Sequence, residues 1–93
     1  MKLSRLTASI KGRVQGVSFR YYTLREAQRL DINGWVQNER DGSVRSVAEG
    51  NPQQLEEFLN FLHHGSPGAI VRSVDIEWLN GTGEYDNFEI RWV

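Results

Sequence analysis

Between residues 6 and 30 the spacing of the apolar residues changes, and this change constrains the fold more than any other feature of the chain. Leu6, Ala8 and Ile10 alternate with Thr7, Ser9 and Lys11, the period of two of a half-buried strand. Phe19, Tyr22, Ala27 and Leu30 then fall at offsets 0, 3, 8 and 11, which is one face of a helix. Arg25, Glu26, Gln28 and Arg29 fill the other side. The switch occurs inside Gly12–Arg20, GRVQGVSFR. A strand therefore runs into a helix over Ser18–Leu30 through a very short loop, with Ser18 placed to cap the helix through its side chain.

The rest of the chain repeats this grammar. Ile32–Asn38 and Ser43–Ala48 read as two strands joined at Asp41-Gly42, a strong hairpin signal. Asn51 caps a second helix, Pro52 stands at its first position and Gln54 completes a capping box. Leu55, Phe58, Leu59 and Leu62 form its apolar stripe, and Gly65 and Pro67 end it. Val74, Ile76 and Trp78 alternate as a fourth strand, and Phe88, Ile90 and Trp92 as a short last one. The order βαββαβ, with that extra strand, predicts an α+β fold of the ferredoxin-like kind. Each helix has a single apolar stripe, so both are expected on one face of a mostly antiparallel sheet, an α/β sandwich. Residues 1–93 are read as one domain, since 93 residues make one domain's worth of chain. That fold hosts many functions and chooses none of them.

Composition narrows the choice. The net charge of −1 lacks the basic surplus of a general nucleic-acid binder. The third strand carries no aromatic residue, as an RNA-stacking sheet would, and Trp35 on the second reads as sheet packing. No stretch approaches the ~20 apolar residues of a membrane span. The N-terminal segment alternates polar and apolar residues and is not a signal peptide, so a cytoplasmic protein is expected.

Much familiar chemistry is missing. There is no cysteine, hence no thiol nucleophile and no thiolate metal site. No GxxxxGK[ST] occurs. His63 and His64 are neighbours on the second helix and do not face one target; they read as C-terminal residues favoured by the helix dipole. Gly16-Val17-Ser18-Phe19-Arg20 imitates a nucleophile elbow but lacks its last glycine and a histidine partner. Asp41 is explained by its turn, and Glu39 and Glu49 by exposure on strands.

What remains is Gln15–Arg20. A helix that begins directly after a strand offers unpaired N–H groups and the positive end of a dipole, which bind phosphate readily. Gly16 permits close backbone approach. Arg20, in the first helical turn, can bend back over the loop and grip phosphate oxygens in pairs. The residues alone leave two readings open: an anion cradle, or an ordinary helix start with an exposed arginine. Asn38 is similarly divided between a residue that begins the Asp41-Gly42 turn and a neutral amide that orients a water.

GRVQGVSFR, followed by GWVQNERDGSV over Gly34–Val44 and by AEG, resembles the acylphosphatase family. Gly65-Ser66-Pro67 and Asp86-Asn87-Phe88-Glu89-Ile90 also fit the family, so the resemblance covers nearly the whole chain. It implies hydrolysis of the carboxyl–phosphate anhydride of acyl phosphates to a carboxylate and inorganic phosphate, by in-line attack of water. It implies that Arg20 binds the phosphoryl group, that backbone amides of Gln15, Gly16, Val17, Ser18 and Phe19 cradle its oxygens, and that Asn38 positions the attacking water. No metal and no cofactor is implied. The partners are a small-molecule acyl phosphate and inorganic phosphate, with no nucleic acid and no membrane, and a monomer is expected. The alternative is a non-catalytic module that binds acyl or carbamoyl phosphate. Two positions depart from the family pattern. Asp31 stands where many relatives have glycine, so the first helix is expected to end with a different cap. Arg45 stands where glutamate is common.

Overall fold

The alternation at Leu6, Ala8 and Ile10 builds β1 (Ser4–Arg13), with all three side chains buried in the core. The computed structural model describes residues 2–92. The remaining elements are α1 (Phe19–Arg29), β2 (Asn33–Asn38), β3 (Val44–Gly50), α2 (Pro52–His64), β4 (Ile70–Asn80) and β5 (Phe88–Arg91). They form one sheet in the order β4-β1-β3-β2-β5. β1 is antiparallel to β3 and to β4, β2 is antiparallel to β3, and β5 is parallel to β2. β1 and β2 therefore run in one direction with β3 between them, and β3 and β4 run in the other with β1 between them. This is the expected ferredoxin-like α+β sandwich, with β5 added outside β2.

The helices bury their stripes against one face of the sheet. Leu55, Phe58 and Leu62 of α2 are fully buried beside Leu6, Ile10 and Val36. α2 begins as the sequence predicts. The Asn51 side chain accepts from the Gln54 N–H at 2.8 Å, and Gln54 Oε1 accepts from the Asn51 N–H at 2.9 Å. In α1 the buried residues are Phe19, Thr23 and Ala27, while Tyr22, expected on the core face, is half-buried. Thr23 can replace an apolar residue there because its hydroxyl donates to the Phe19 carbonyl at 2.8 Å. Trp35 is buried in the sheet as expected, and its Nε1–H donates to the Tyr85 hydroxyl at 3.3 Å.

Three expectations are corrected. Ser18 precedes α1 but makes no side-chain cap: its backbone is left-handed, φ 60° and ψ 24°, whereas a capping serine needs an extended backbone to reach the N2 and N3 amides. Asp31 does not bring a different cap. It adopts the glycine-like φ of 57°, the Asp31 N–H donates to the Gln28 carbonyl, and the Ile32 N–H reaches Ala27 at 2.9 Å. That is a Schellman ending with aspartate in the glycine position. β4 forms as expected, at the edge of the sheet, with Val74 packed against the core and Ile76 and Trp78 41% and 40% exposed. Glu49 is not an exposed strand carboxylate; it is 3% exposed and ion-paired with Arg5 across β1 and β3.

Candidate active site

β1, β2 and β5 end at the same edge of the sandwich, and α1 starts there. Ligand sites in α/β sheets favour such carboxyl ends. A cleft of about 430 Å³ opens at this edge, lined by Val14, Gly16, Ser18, Phe19, Arg20, Tyr21, Asn38, Ile90 and Trp92. Arg20 and Asn38, 18 positions apart in the chain, thus line one cavity.

The loop between β1 and α1 is held in an unusual shape. Gly16 has φ 72° and Ser18 φ 60°, and the left-handed region is one that a serine seldom adopts. A Cβ added to Gly16 would meet nothing within 4 Å, so its surroundings are the open cleft. Strain of this kind persists only where the surroundings over-determine it, and here three braces do so. The Gln15 Nε2 amide donates to the carbonyls of Glu39 and Ser43 at 2.7 and 2.9 Å. The Ser66 hydroxyl donates to the Val17 carbonyl at 2.6 Å. Phe19 is buried against Phe61 and beneath Gly65, where any Cβ would lie 2.3 Å from the Phe19 ring.

The N–H groups of this loop are left open. The helix start carries no side-chain cap, and none of the backbone bonds made outside the helices and strands uses an N–H of residues 16 to 20. Arg20 forms no ion pair among the described residues. Its guanidinium instead lies over the Trp92 ring, 4.3 Å from the centroid.

Asn38 ends β2 on the face of Val36, as the two-residue period requires. Its Oδ1 is the one buried side-chain polar atom among the described residues that has no hydrogen-bond partner. An orphaned carbonyl of that kind costs about 1–3 kcal/mol, a cost that the turn-starting reading of Asn38 does not explain. The turn itself is held by other groups: Asp41 Oδ1 accepts from the Ser43 N–H at 2.9 Å and from its hydroxyl at 2.6 Å, which lowers the Asp41 carboxyl below its ordinary range.

The six residues of the predicted cradle are therefore divided. Gly16, Ser18, Phe19 and Arg20 line the cleft with Asn38, whereas Gln15 and Val17 do not. Gln15 turns its side chain to the hairpin that carries Asn38, and the Val17 carbonyl is taken by Ser66. Sequence reasoning missed Val14, Tyr21, Ile90 and Trp92 on the cleft wall. The one signal for two of them was the alternation Phe88, Ile90, Trp92, which puts them on the face of Asn38 when the β2–β5 register is continued.

A family model described as Acylphosphatase matches residues 6–90. The chain belongs to the acylphosphatase family. It is 47% identical over 87 residues to the acylphosphatase of Salinibacter ruber, covering 94% of this chain and 92% of that protein. It is 42% identical over 92 residues to that of Syntrophotalea carbinolica, covering 99% and 100%. The crystal structure of acylphosphatase from Bacillus subtilis superimposes with a TM-score of 0.92 at 33% identity, covering 95% of this chain and 98% of that one. Membership gives the open donors of the cleft a context: they belong to an acylphosphatase fold. No helix of the described residues is long and apolar enough to cross a membrane.

Proposed function

We propose that this member of the acylphosphatase family hydrolyses acyl phosphates in the cleft between the β1–α1 loop and Asn38, and that Arg20 and Asn38 carry the reaction. The observation behind the proposal is the convergence of an arginine without a carboxylate partner, an uncapped helix start and an asparagine with an orphaned carbonyl. The phosphoryl group sits against the N–H groups of Gly16 to Arg20, which carry the positive end of the helix dipole. Arg20 clasps two of its oxygens. Water approaches phosphorus opposite the acyl oxygen. The Asn38 side-chain amide, on the wall of the same cleft, holds that water in line.

The water oxygen bonds to phosphorus, the bond from phosphorus to the acyl oxygen breaks, and the acyl group leaves as a carboxylate. The water supplies both protons, one kept by the phosphate and one released to solvent. Charge spreads over the phosphoryl oxygens in the loose transition state, where Arg20 and the amides are fixed donors. A carboxylate is a good leaving group, so neither a strong general acid nor a strong base is required. The reaction as written needs no metal, because the charge it develops falls on donors the chain supplies. With all those donors in one chain, the reading extends to a monomer that is a single functional domain. The net charge of −1 and the absence of cysteine support a cytoplasmic enzyme for a small molecule rather than a nucleic-acid binder.

Benzoyl phosphate hydrolysis tests the proposal. Folded wild-type protein is expected to turn it over and to be inhibited by inorganic phosphate; absence of turnover would leave only the binding-module reading. Asn38→Ala is expected to lower kcat about a hundredfold with phosphate inhibition nearly intact. A large loss of phosphate affinity at unchanged kcat would remove the water-positioning role.

A further inference from the structure

The cleft has two unlike halves. Gly16, Ser18, Arg20 and Asn38 form the polar half, and Tyr21, Ile90 and Trp92 the apolar one. Trp92 lies one residue past the end of β5 and is 76% exposed. Burial therefore does not hold its ring in place; the Arg20 guanidinium, 4.3 Å from the ring centroid, is the contact that does.

That contact has a chemical consequence. A guanidinium over a ring is held through the ring's π face, which is no anionic acceptor to take its N–H groups away from phosphate. A carboxylate in the same place would take those N–H groups and compete with phosphate. An indole orients the charge without neutralising it. The same ring stands beside the spot where Arg20 grips phosphate, and the acyl group begins one bond beyond the phosphoryl oxygens. With Tyr21 and Ile90 it offers that group a flat apolar surface in place of solvent.

We infer that Trp92 is the specificity-determining residue of this cleft, and that it selects acyl phosphates whose acyl group is flat and apolar, such as an aroyl group, over small ones such as acetyl. The inference rests on the proposed acyl phosphate hydrolysis and adds the substrate class. Packing an aroyl ring edge-on against the indole, beside Tyr21 and Ile90, adds an apolar contact that acetyl is too small to make, while the ring face under Arg20 serves every substrate alike.

The experiment compares kcat/KM for benzoyl phosphate and acetyl phosphate, with phosphate inhibition constants, in wild type, Trp92→Leu and Trp92→Phe. Leucine is expected to lower kcat/KM for benzoyl phosphate about tenfold more than for acetyl phosphate. It is also expected to weaken phosphate inhibition several-fold by freeing Arg20, and phenylalanine should restore most of both. The ring's exposure makes these variants compatible with folding, which far-UV circular dichroism checks. If wild-type protein hydrolyses both substrates and leucine lowers both equally, or neither, the specificity role is overturned while the hydrolase reading stands. If wild-type protein hydrolyses neither substrate, the hydrolase reading itself fails and this inference goes with it.

Discussion

Arg5 and Arg20 flank opposite ends of β1, and their surroundings differ in one respect: whether the charge is satisfied. The Arg5 Nε–H donates to Glu49 at 2.7 Å, and its Nη2 donates to Thr82 Oγ1 at 2.9 Å and to Glu84. Glu49 in turn accepts from the N–H groups of Thr82 and Gly83 at 2.9 and 3.0 Å. The charges of that cluster are paired with one another, and the cluster ties the segment after β4 to the centre of the sheet. Around Arg20 the pattern is reversed. The arginine has no acid, the helix has no cap, and Asn38 Oδ1 has no donor. Satisfied polar groups build the fold, and a buried group left without a partner carries a cost that the fold itself does not repay. The two arginines thus differ in their partners: Arg5 is paired with Glu49 and Glu84, and Arg20 with no carboxylate among the described residues.

The sharpest way to break this contrast is to remove each centre. Arg20→Ala is expected to lower acyl phosphate hydrolysis about a hundredfold or more while the thermal midpoint holds, since no protein group loses a charge partner. Glu49→Ala is expected to do the reverse. It leaves Arg5 half-unpaired and two amides without an acceptor, and breaking a buried pair of this kind costs about 3 kcal/mol. For a domain this size that lowers the midpoint by roughly 10–20 °C, with kcat retained below the transition. Calorimetry and kinetics on both variants decide the matter; a large stability loss from Arg20→Ala would erase the contrast.

Acid offers a second route. Burial raises the Glu49 carboxyl, but hydrogen bonds from the Thr82 amide, Arg5 and the Gly83 amide outweigh it, so the carboxyl titrates below its ordinary 4.5. Arg5 and Thr82 likewise hold Glu84 low. A depressed carboxylate contributes stability that is fully present above its unfolded value and is lost as the pH falls through the folded one. The wild-type midpoint should thus decline below about pH 4.5. Glu49→Gln, less stable at pH 7, should decline less. Parallel declines in the two proteins would place the acid sensitivity elsewhere.

A smaller effect is expected from Gln15, which lies in the cradle segment yet works by bracing. Gln15→Ala frees the carbonyls of Glu39 and Ser43 and loosens the hairpin that carries Asn38. A fall in kcat of about tenfold with little change in phosphate inhibition is expected, together with about 1 kcal/mol of stability. A selective loss of phosphate affinity would instead return Gln15 to direct contact with the anion.

Gln15 also marks where the sequence stops being legible. The periods at Leu6–Ile10 and Leu55–Leu62 carried the element order, and with it the layering of helices on one face. GRVQGVSFR and Asn38 carried the site because each is a short, local pattern. Bonds from Gln15 to residues 24 and 28 positions away have no local signature, nor does the pairing of Arg5 with Glu49, which depends on the β1–β3 register. The left-handed turn at Ser18 was hidden because serine there is equally suited to an ordinary cap. Trp92 looked like one more alternating apolar residue; only its place beyond the end of β5 reveals that it meets Arg20.

Asp31 belongs to neither end of the contrast, and the smallest effect is expected there. It forms no ion pair among the described residues and does not line the candidate cleft. It holds φ 57° to let the Ile32 N–H reach the Ala27 carbonyl, a conformation that costs an ordinary residue about 1–2 kcal/mol and glycine almost nothing. Its negative charge also meets the negative end of the α1 dipole. Glycine gives back part of the gain through a more flexible unfolded chain. Asp31→Gly is therefore expected to stabilise the fold by about 0.5–1 kcal/mol and raise the midpoint by a few degrees, with kinetics unchanged. A lower midpoint would mean that Asp31 makes a favourable interaction at the end of α1, and that an unpaired charge outside the cleft is not idle after all.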